Sequence, residues 1–557
     1  MKLNWINKLG NWNPQLLREL KERLKPRKIL LAIAISLLGQ FVVFMSFQTQ
    51  LPNPATPGIF DKYCTRSLFD NLYKRCLSDE YWQSWWRDIF VGLSLIGIVI
   101  LLVAGTYMLI NDLATEERRA TFNLTRLSPQ SEASIFIGKL LGVPILIYLF
   151  TVLALPLHLS SGLAAKIPLS LILSLYAVVA VASVFYYSAA MLFGLVGSRL
   201  GSFQAWLGSG AVFIFLMLTR GISTTSYFNS TTWLKLLNPF CVIPNLSTTS
   251  FFEGFATGLE RFKWFNFLLS DSLVTLVGFV VLNYGILTWF VWQSLRRCFR
   301  DQSATMLSKQ QSYLLTVCFT VLIIGCGNYA PPANRSPYAL PLWENLWAIS
   351  TLSLLLFLYL IAAITPHRQA LQDWARYRHN RVSCSKKLGH TSLVKDLIWG
   401  EKSPALVAIA INLIITITPL ALFTLLWSAK IEENKTEAFL CLALAASSIM
   451  IYASVAQLLL FVRTQQRTLW TVGAVGAVIF LRSLFSGVLG LYLFNPFGLL
   501  MYFAFPYFPL GGTKQVLLAT IVLLAQVIVL VLLNLQLTRQ LRRAGDSTSK
   551  VLFTPSQ

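Results

Sequence analysis

Ionisable side chains are scarce in this sequence. They make up 12% of the 557 residues, against about a quarter in soluble domains. Acids are the scarcer sign, with 23 Asp and Glu against 46 Lys and Arg. A soluble core has no room for a chain that is 55% apolar with a mean hydropathy of +0.62. The apolar residues fall in long blocks with the charges between them, which fits lipid as the solvent. Four histidines and eight cysteines are dispersed without metal-ligand spacing, so no metal or other cofactor is expected. No Gly-rich phosphate loop of the GxxxxGK[ST] type occurs, which excludes ATP binding by that route. The apolar blocks hold few ionisable groups, which argues against a proton-relay transporter.

What the chain does have is base, at a net charge of +23. The lysines and arginines are not gathered into one basic domain, so nucleic acid is not the expected partner. They flank the apolar blocks as topogenic charges do. The N-terminus does not read as a cleavable signal, because Glu19 and Glu22 interrupt its bases and no small-residue cleavage site follows its first apolar run.

Twelve spans are predicted. The first six lie near 29–47, 89–110, 140–157, 169–195, 206–218 and 268–292. The second six lie near 313–326, 346–364, 406–427, 439–461, 469–480 and 516–535. Twelve spans put the basic segments at 21–28, 296–300, 368–387 and 539–543 on one side. That side is the cytoplasm if lysine and arginine set orientation, with both termini inside and the inner (plasma) membrane as the location. Cys64 and Cys76 share one predicted outer loop, where a disulfide and two free thiols are both open readings.

The two halves repeat landmarks in one order. Asp112-Leu113 precedes Glu117-Arg118, and Asp396-Leu397 precedes Glu401-Lys402 at the same spacing. Trp206 and Arg220 bracket the short fifth span, and Trp470 and Arg482 the short eleventh. Asn238-Pro239 follows the first pair and Asn495-Pro496 the second. Leu295-Arg296-Arg297 closes one half and Leu541-Arg542-Arg543 the other. The expected fold is therefore an all-α polytopic membrane protein of two parallel six-helix repeats. The divisions are an amphipathic cytoplasmic arm at 1–28, six-span halves at 29–300 and 301–547, and a tail at 548–557. Arg220 and Arg482 also fit residues that snorkel to the interface, since a mid-bilayer arginine costs about 2.5–3.5 kcal/mol on insertion scales. The Asn-Pro pairs also fit plain turns.

Residues 111–139 are the most informative polar segment, longer than the roughly 2–8 residues a helix–helix linker needs. Asp112 or Thr115 is placed to cap a helix whose first turn holds Glu116 and Glu117. Ser128 is placed to cap a second helix, with Pro129 at its first position. Phe122, Leu124 and Leu127 are the expected apolar anchors. At the N-terminus Asn13 and Pro14 start a helix with Leu16, Leu17, Leu20 and Leu24 on one face. It reads as an interfacial helix or as a basic topogenic arm.

This segment resembles the cytoplasmic coupling region of type-2 ATP-binding-cassette (ABC) exporter permeases. Glu116, Glu117, Arg118, Leu127, Ser128, Pro129, Gly138 and Lys139 match its pattern, with Arg119 extending the charge cluster. The resemblance implies that separate ABC ATPase subunits dock on the cytoplasmic loops. It also implies an elbow helix before the first span and re-entrant turns at Asn238-Pro239 and Asn495-Pro496. The second half departs from the pattern, retaining Glu401-Lys402 and Pro404 but not the full cluster. A polytopic membrane enzyme, such as a lipid-linked transferase using Asp61, Asp70, Asp79 or Glu80, is the alternative. Neither reading identifies a transported or modified molecule.

Overall fold

The computed structural model describes residues 10–51, 79–119, 121–197, 201, 203–220, 230–242, 262–265, 267–301, 303–327, 341–384, 389–426, 435–461, 473–477 and 513–545. These are helical almost throughout, the one sheet among them being Lys263–Trp264 paired antiparallel with Phe267–Leu268. Ten of the helices are long and apolar enough to cross a membrane, so the chain is an all-α multi-pass membrane protein. The seventh expected span is a 17-residue helix, Lys309–Gly325. Of the eleventh, only 473–477 is described. Internal contacts divide the chain into two compact units, one ending at Arg300 and one starting at Asp301, with 229–231 grouped with the second.

The first unit begins with α1 (Pro14–Arg23) and α2 (Pro26–Gln48). Leu30, Leu31, Leu37, Leu38 and Phe41 leave α2 exposed along its length, as expected of a lipid-facing helix. Two polar groups near its middle turn inward: Ser36 donates to the Phe150 carbonyl at 3.0 Å and Gln40 to the Leu153 carbonyl at 3.4 Å.

Next come α3 (Asp79–Val99), a π turn (Ile100–Ala104) and α4 (Gly105–Arg118). Together they make one apolar rod, 37 residues over Trp82–Arg118. At 1.5 Å per residue that is about 55 Å, well beyond the roughly 30 Å of bilayer hydrocarbon. The Tyr187 hydroxyl donates to the Leu101 carbonyl at 2.6 Å, and a Cβ on Gly105 would lie 2.2 Å from that hydroxyl oxygen. The Leu101 carbonyl also accepts from the Gly105 amide, so Tyr187 packs on the π turn without opening its backbone ladder.

The rod overturns part of the sequence reading. The second span was expected to end near 110, with a new helix capped by Asp112 or Thr115. Instead α4 runs unbroken through both. The expected cap at Ser128 is also displaced. A short helix α5 (Thr121–Arg126) is followed by a turn, and Ser131 caps α6 (Glu132–Gly142), accepting from the Ser134 amide at 3.2 Å. Pro144 then separates α6 from α7 (Ile145–Ala164), because proline disfavours helix at the residue before it. The third span therefore starts after Pro144 rather than at 140.

The unit closes with α8 (Leu169–Val196), α9 (Phe203–Arg220), α10 (Thr232–Leu236) and α11 (Leu273–Arg300). The stretch from α10 to the 3-10 turn Pro239–Val242 is buried among these helices. The Leu237 carbonyl accepts from Tyr186 at 2.8 Å and Tyr284 at 2.6 Å. Asn238 holds the turn on both sides, donating to the Leu216 carbonyl and the Thr219 hydroxyl, each at 2.9 Å. Its side-chain oxygen accepts from the Phe240 amide at 3.0 Å.

The second unit contains α12 (Lys309–Gly325), α13 (Pro341–Ile364), α14 (Arg368–Cys384) and α15 (Gly389–Trp399). It ends with α16 (Leu406–Leu426), α17 (Lys435–Leu460) and α18 (Thr513–Gly545). Buried polar side chains join its helices, as membrane helices require when hydrophobicity alone does not select partners. Asn412 on α16 donates to Ser312 at 3.0 Å and accepts from Thr316 at 2.8 Å, both on α12. Gln526 on α18 meets Ser447 and Ser448 on α17.

Replacing Asn238 by Ala removes three hydrogen bonds at a buried turn. It should destabilise the protein by about 2–3 kcal/mol. Thermal unfolding of the purified chain in detergent measures this, and an unchanged midpoint would show that the turn does not depend on that amide.

Candidate functional site

Helices α1, α4 and α6 converge at one end of the first unit, and the sequence explains each approach. Asn13 caps α1 by accepting from the Leu16 amide at 3.0 Å. The same side chain donates to the Ser134 carbonyl of α6 at 2.7 Å. Gly138 and Gly142 lie one turn apart on α6. A Cβ on Gly138 would sit 2.9 Å from the Leu16 amide nitrogen, and one on Gly142 2.5 Å from the Glu19 Cβ. Two glycines thus let α1 lie directly on the α6 backbone.

Lys139 sits between those glycines and is fully buried. Its Nζ lies 2.7 Å from Asp112 Oδ2, 2.8 Å from Glu116 Oε2 and 3.5 Å from Glu19 Oε1. The Asp112 contact is a hydrogen bond; the Glu116 oxygen is close without hydrogen-bond alignment. Arg23 bridges Asp112 and Glu19, reaching the latter at 3.2 Å. Arg18 reaches Glu116 Oε1 at 3.2 Å, and Gln15 donates to Glu19 at 2.9 Å. Three carboxylates therefore face three cations.

Carboxylate oxygens of Glu19, Asp112 and Glu116 all lie within 4.8 Å of one another. That spacing suits a metal ion, but the Lys139 ammonium lies among them and is itself the cation. Burial alone would lower the lysine's pKa; Asp112, Glu116 and Glu19 outweigh it and raise the value. Burial, and then the Asp112 charge, push Glu19 above the usual carboxylate range against the pull of Lys139 and Arg23.

The network divides the expected coupling cluster. Glu116, read as a surface group, is buried and spent on Lys139 and Arg18. Glu117 is half-buried, while Arg118 and Arg119 are exposed. Arg118 donates to the Ala114 carbonyl at 3.1 Å, within its own helix. Leu127 was expected to anchor its helix and is 83% exposed. Ser128 donates to the Thr125 carbonyl at 2.8 Å, and Pro129 is exposed beside it. The side chains of Phe122 and Leu124 lie outside the described residues. The outer face of 118–129 thus presents two arginines, a leucine and a proline over a brace of charges.

In the second unit Glu401 and Lys402 are exposed in the turn between α15 and α16. A buried lysine again lies beneath. Lys309 donates to Leu397 O at 2.7 Å, Ser403 Oγ at 2.6 Å and Pro404 O at 3.2 Å. Asp396 pairs with Arg378 at 3.4 Å. Lys309 lies outside the motifs of the sequence, and Lys139 stands within one that does not reveal its partners. The available signal was a lysine opening an apolar run with small or hydroxylated residues around it. Asn238 and Pro239 occupy the buried turn described above. Asn495, Pro496, Cys64, Cys76 and Arg482 lie outside the described residues.

A second polar constellation links α3, α7 and α8. His158 Nε2 is 2.7 Å from Ser94 Oγ, and Nδ1 is 2.8 Å from the Tyr176 hydroxyl. Ser94 donates to the Phe90 carbonyl at 2.7 Å. The trio is a helix–helix link. Compared with protein-family models, curated proteins and solved structures, the chain matches none.

Substituting Lys139 by Met leaves three carboxylates, two of them buried, facing two arginines. Removing one partner of such a network costs about 3–5 kcal/mol. Hydrogen exchange over residues 14–23 should accelerate at least about a hundredfold as α1 leaves α6. The raised lysine pKa also means that its contribution is complete below the ordinary lysine range. It is lost only as pH rises through the higher folded value. Unchanged protection of α1 in the variant would mean that the glycine contacts alone hold it.

Proposed function

We propose that the chain is the membrane-spanning permease subunit of an ABC exporter, with both halves in one polypeptide and ATP hydrolysed by separate ATPase subunits. The observation that carries this is the surface at 118–129. A rod longer than the bilayer delivers Arg118, Arg119, Leu127 and Pro129 beyond the apolar layer. The Lys139 network stiffens that surface from behind. Exposed charges within one chain contribute only about 0–1 kcal/mol to its stability. A rigid surface with unspent charge and an exposed leucine instead suits a docking partner, where charges set register and choice.

On this reading the inner (plasma) membrane holds the protein with both termini in the cytoplasm, as the lysine and arginine distribution suggests. ATP-driven closure of the ATPases pulls on the surface at 118–129, and α4 carries the motion into the membrane as one continuous helix. No covalent chemistry occurs on the cargo. The turn at Glu401-Lys402 is the weaker contact.

Arg118→Glu combined with Arg119→Glu should leave the protein inserted and folded while lowering co-purified ATPase about tenfold or more. The matched change Glu401→Lys with Lys402→Glu should have a smaller effect. Wild-type ATPase yield from the arginine double variant would remove the coupling assignment and put the membrane-enzyme reading ahead.

A further inference from the structure

A cleft of about 440 Å³ opens between α8 and α11 within the first unit. Its apolar lining includes Val181, Val184, Trp289 and Trp292, with Gly285 at one end and Arg296 at the other. The α11 residues share one helical face, because 285, 288, 289, 292, 293 and 296 follow the three-and-four spacing of a single stripe. From Gly285 to Arg296 that stripe is about 16 Å long.

Three polar groups in the cleft are unspent among the described residues. The Thr288 hydroxyl oxygen is buried without a hydrogen-bond partner. Gln293 and the exposed Arg296 make no hydrogen bond or ion pair with the protein. Arg300, one turn further on, is by contrast committed to Glu132 at 2.8 Å. Trp292 is fixed by its bond to the Ser188 hydroxyl at 3.0 Å, whereas Trp289 is 46% exposed. Tryptophan followed by arginine at the end of an apolar helix marks the headgroup level of a bilayer.

We infer that this cleft binds one anionic phospholipid. The guanidinium of Arg296 takes the phosphate, and the Gln293 amide donates to a glycerol ester oxygen. One acyl chain runs past Trp289 toward Val181, Val184 and Gly285. Charge complementarity selects the ligand: an unpaired arginine at headgroup depth favours an anionic lipid over a zwitterionic one. The volume falls in the range of small-ligand sites. The inference rests on the membrane location alone and does not depend on the exporter reading.

Gly285 supplies a clean test, since a Cβ there meets nothing within 4 Å. Gly285→Phe should fill the apolar end without displacing the protein. Native mass spectrometry of the full chain in detergent, titrated with phosphatidylglycerol and separately with phosphatidylcholine, reads the result. The wild type should retain one phosphatidylglycerol in preference to phosphatidylcholine. Arg296→Gln should weaken that retention about fivefold, as expected for one basic residue at an anionic headgroup, while Arg296→Lys keeps most of it. Gly285→Phe should abolish it with an unchanged unfolding midpoint. Equal retention by all variants, or equal retention of the two lipids, would overturn the assignment.

Discussion

The Lys139 ammonium is fully buried, and everything at that end of the first unit is arranged around this constraint. Burying an isolated ammonium costs several kcal/mol even after relaxation. The cost is met by Asp112, Glu116 and Glu19, drawn from two other helices. Those carboxylates need Arg18 and Arg23 in turn, and both arginines lie on α1. Lys139 cannot be buried, therefore, unless α1 is docked. Gly138 and Gly142 make the docking close enough for the charges to meet. Sequence, local packing and electrostatics depend on one another here, so the N-terminal helix belongs to the fold rather than being an appendage.

The same economy governs the apolar layers. Several polar side chains within them join helices. Ser36, Asn412, Gln526 and the Ser94–His158–Tyr176 trio each connect one helix to another. The buried turn at Asn238 follows the same rule, with its backbone satisfied by Tyr186 and Tyr284. Irregular backbone survives at membrane depth only where protein supplies such partners. Among the described groups that pair with no acid are the exposed arginines at 118 and 119, the former bonded only within its own helix, and Arg296 beside the cleft.

Hydropathy made the membrane class legible, because a run of apolar residues has one physical reading in so long a chain. The cap at Asn13 with Pro14 was equally legible, since it is a local arrangement. The fate of Glu116 was not. Four charges in a row look like one solvated face, and nothing in 116–119 says that the first points to a lysine more than twenty residues on. Helix ends failed for a related reason. Asp112 and Ser128 each have capping chemistry, yet tertiary pairing took Asp112 and left Ser131 as the cap. Of the paired landmarks that suggested a repeat, Trp470, Arg482 and Asn495-Pro496 lie outside the described residues. Lys309 went unread because its partners are mainly backbone carbonyls, which carry no residue-type signal.

The central claim is that α1 and α4 are joined through charge and act as one body. A double-mutant cycle on Arg23 and Asp112 tests this directly, using Arg23→Gln, Asp112→Asn and the pair, each followed by unfolding in detergent. Groups that share one network should couple by about 1–3 kcal/mol, so the double variant should lose clearly less stability than the sum of the single ones. Strict additivity would contradict the account, because it would mean that α1 is held without the network.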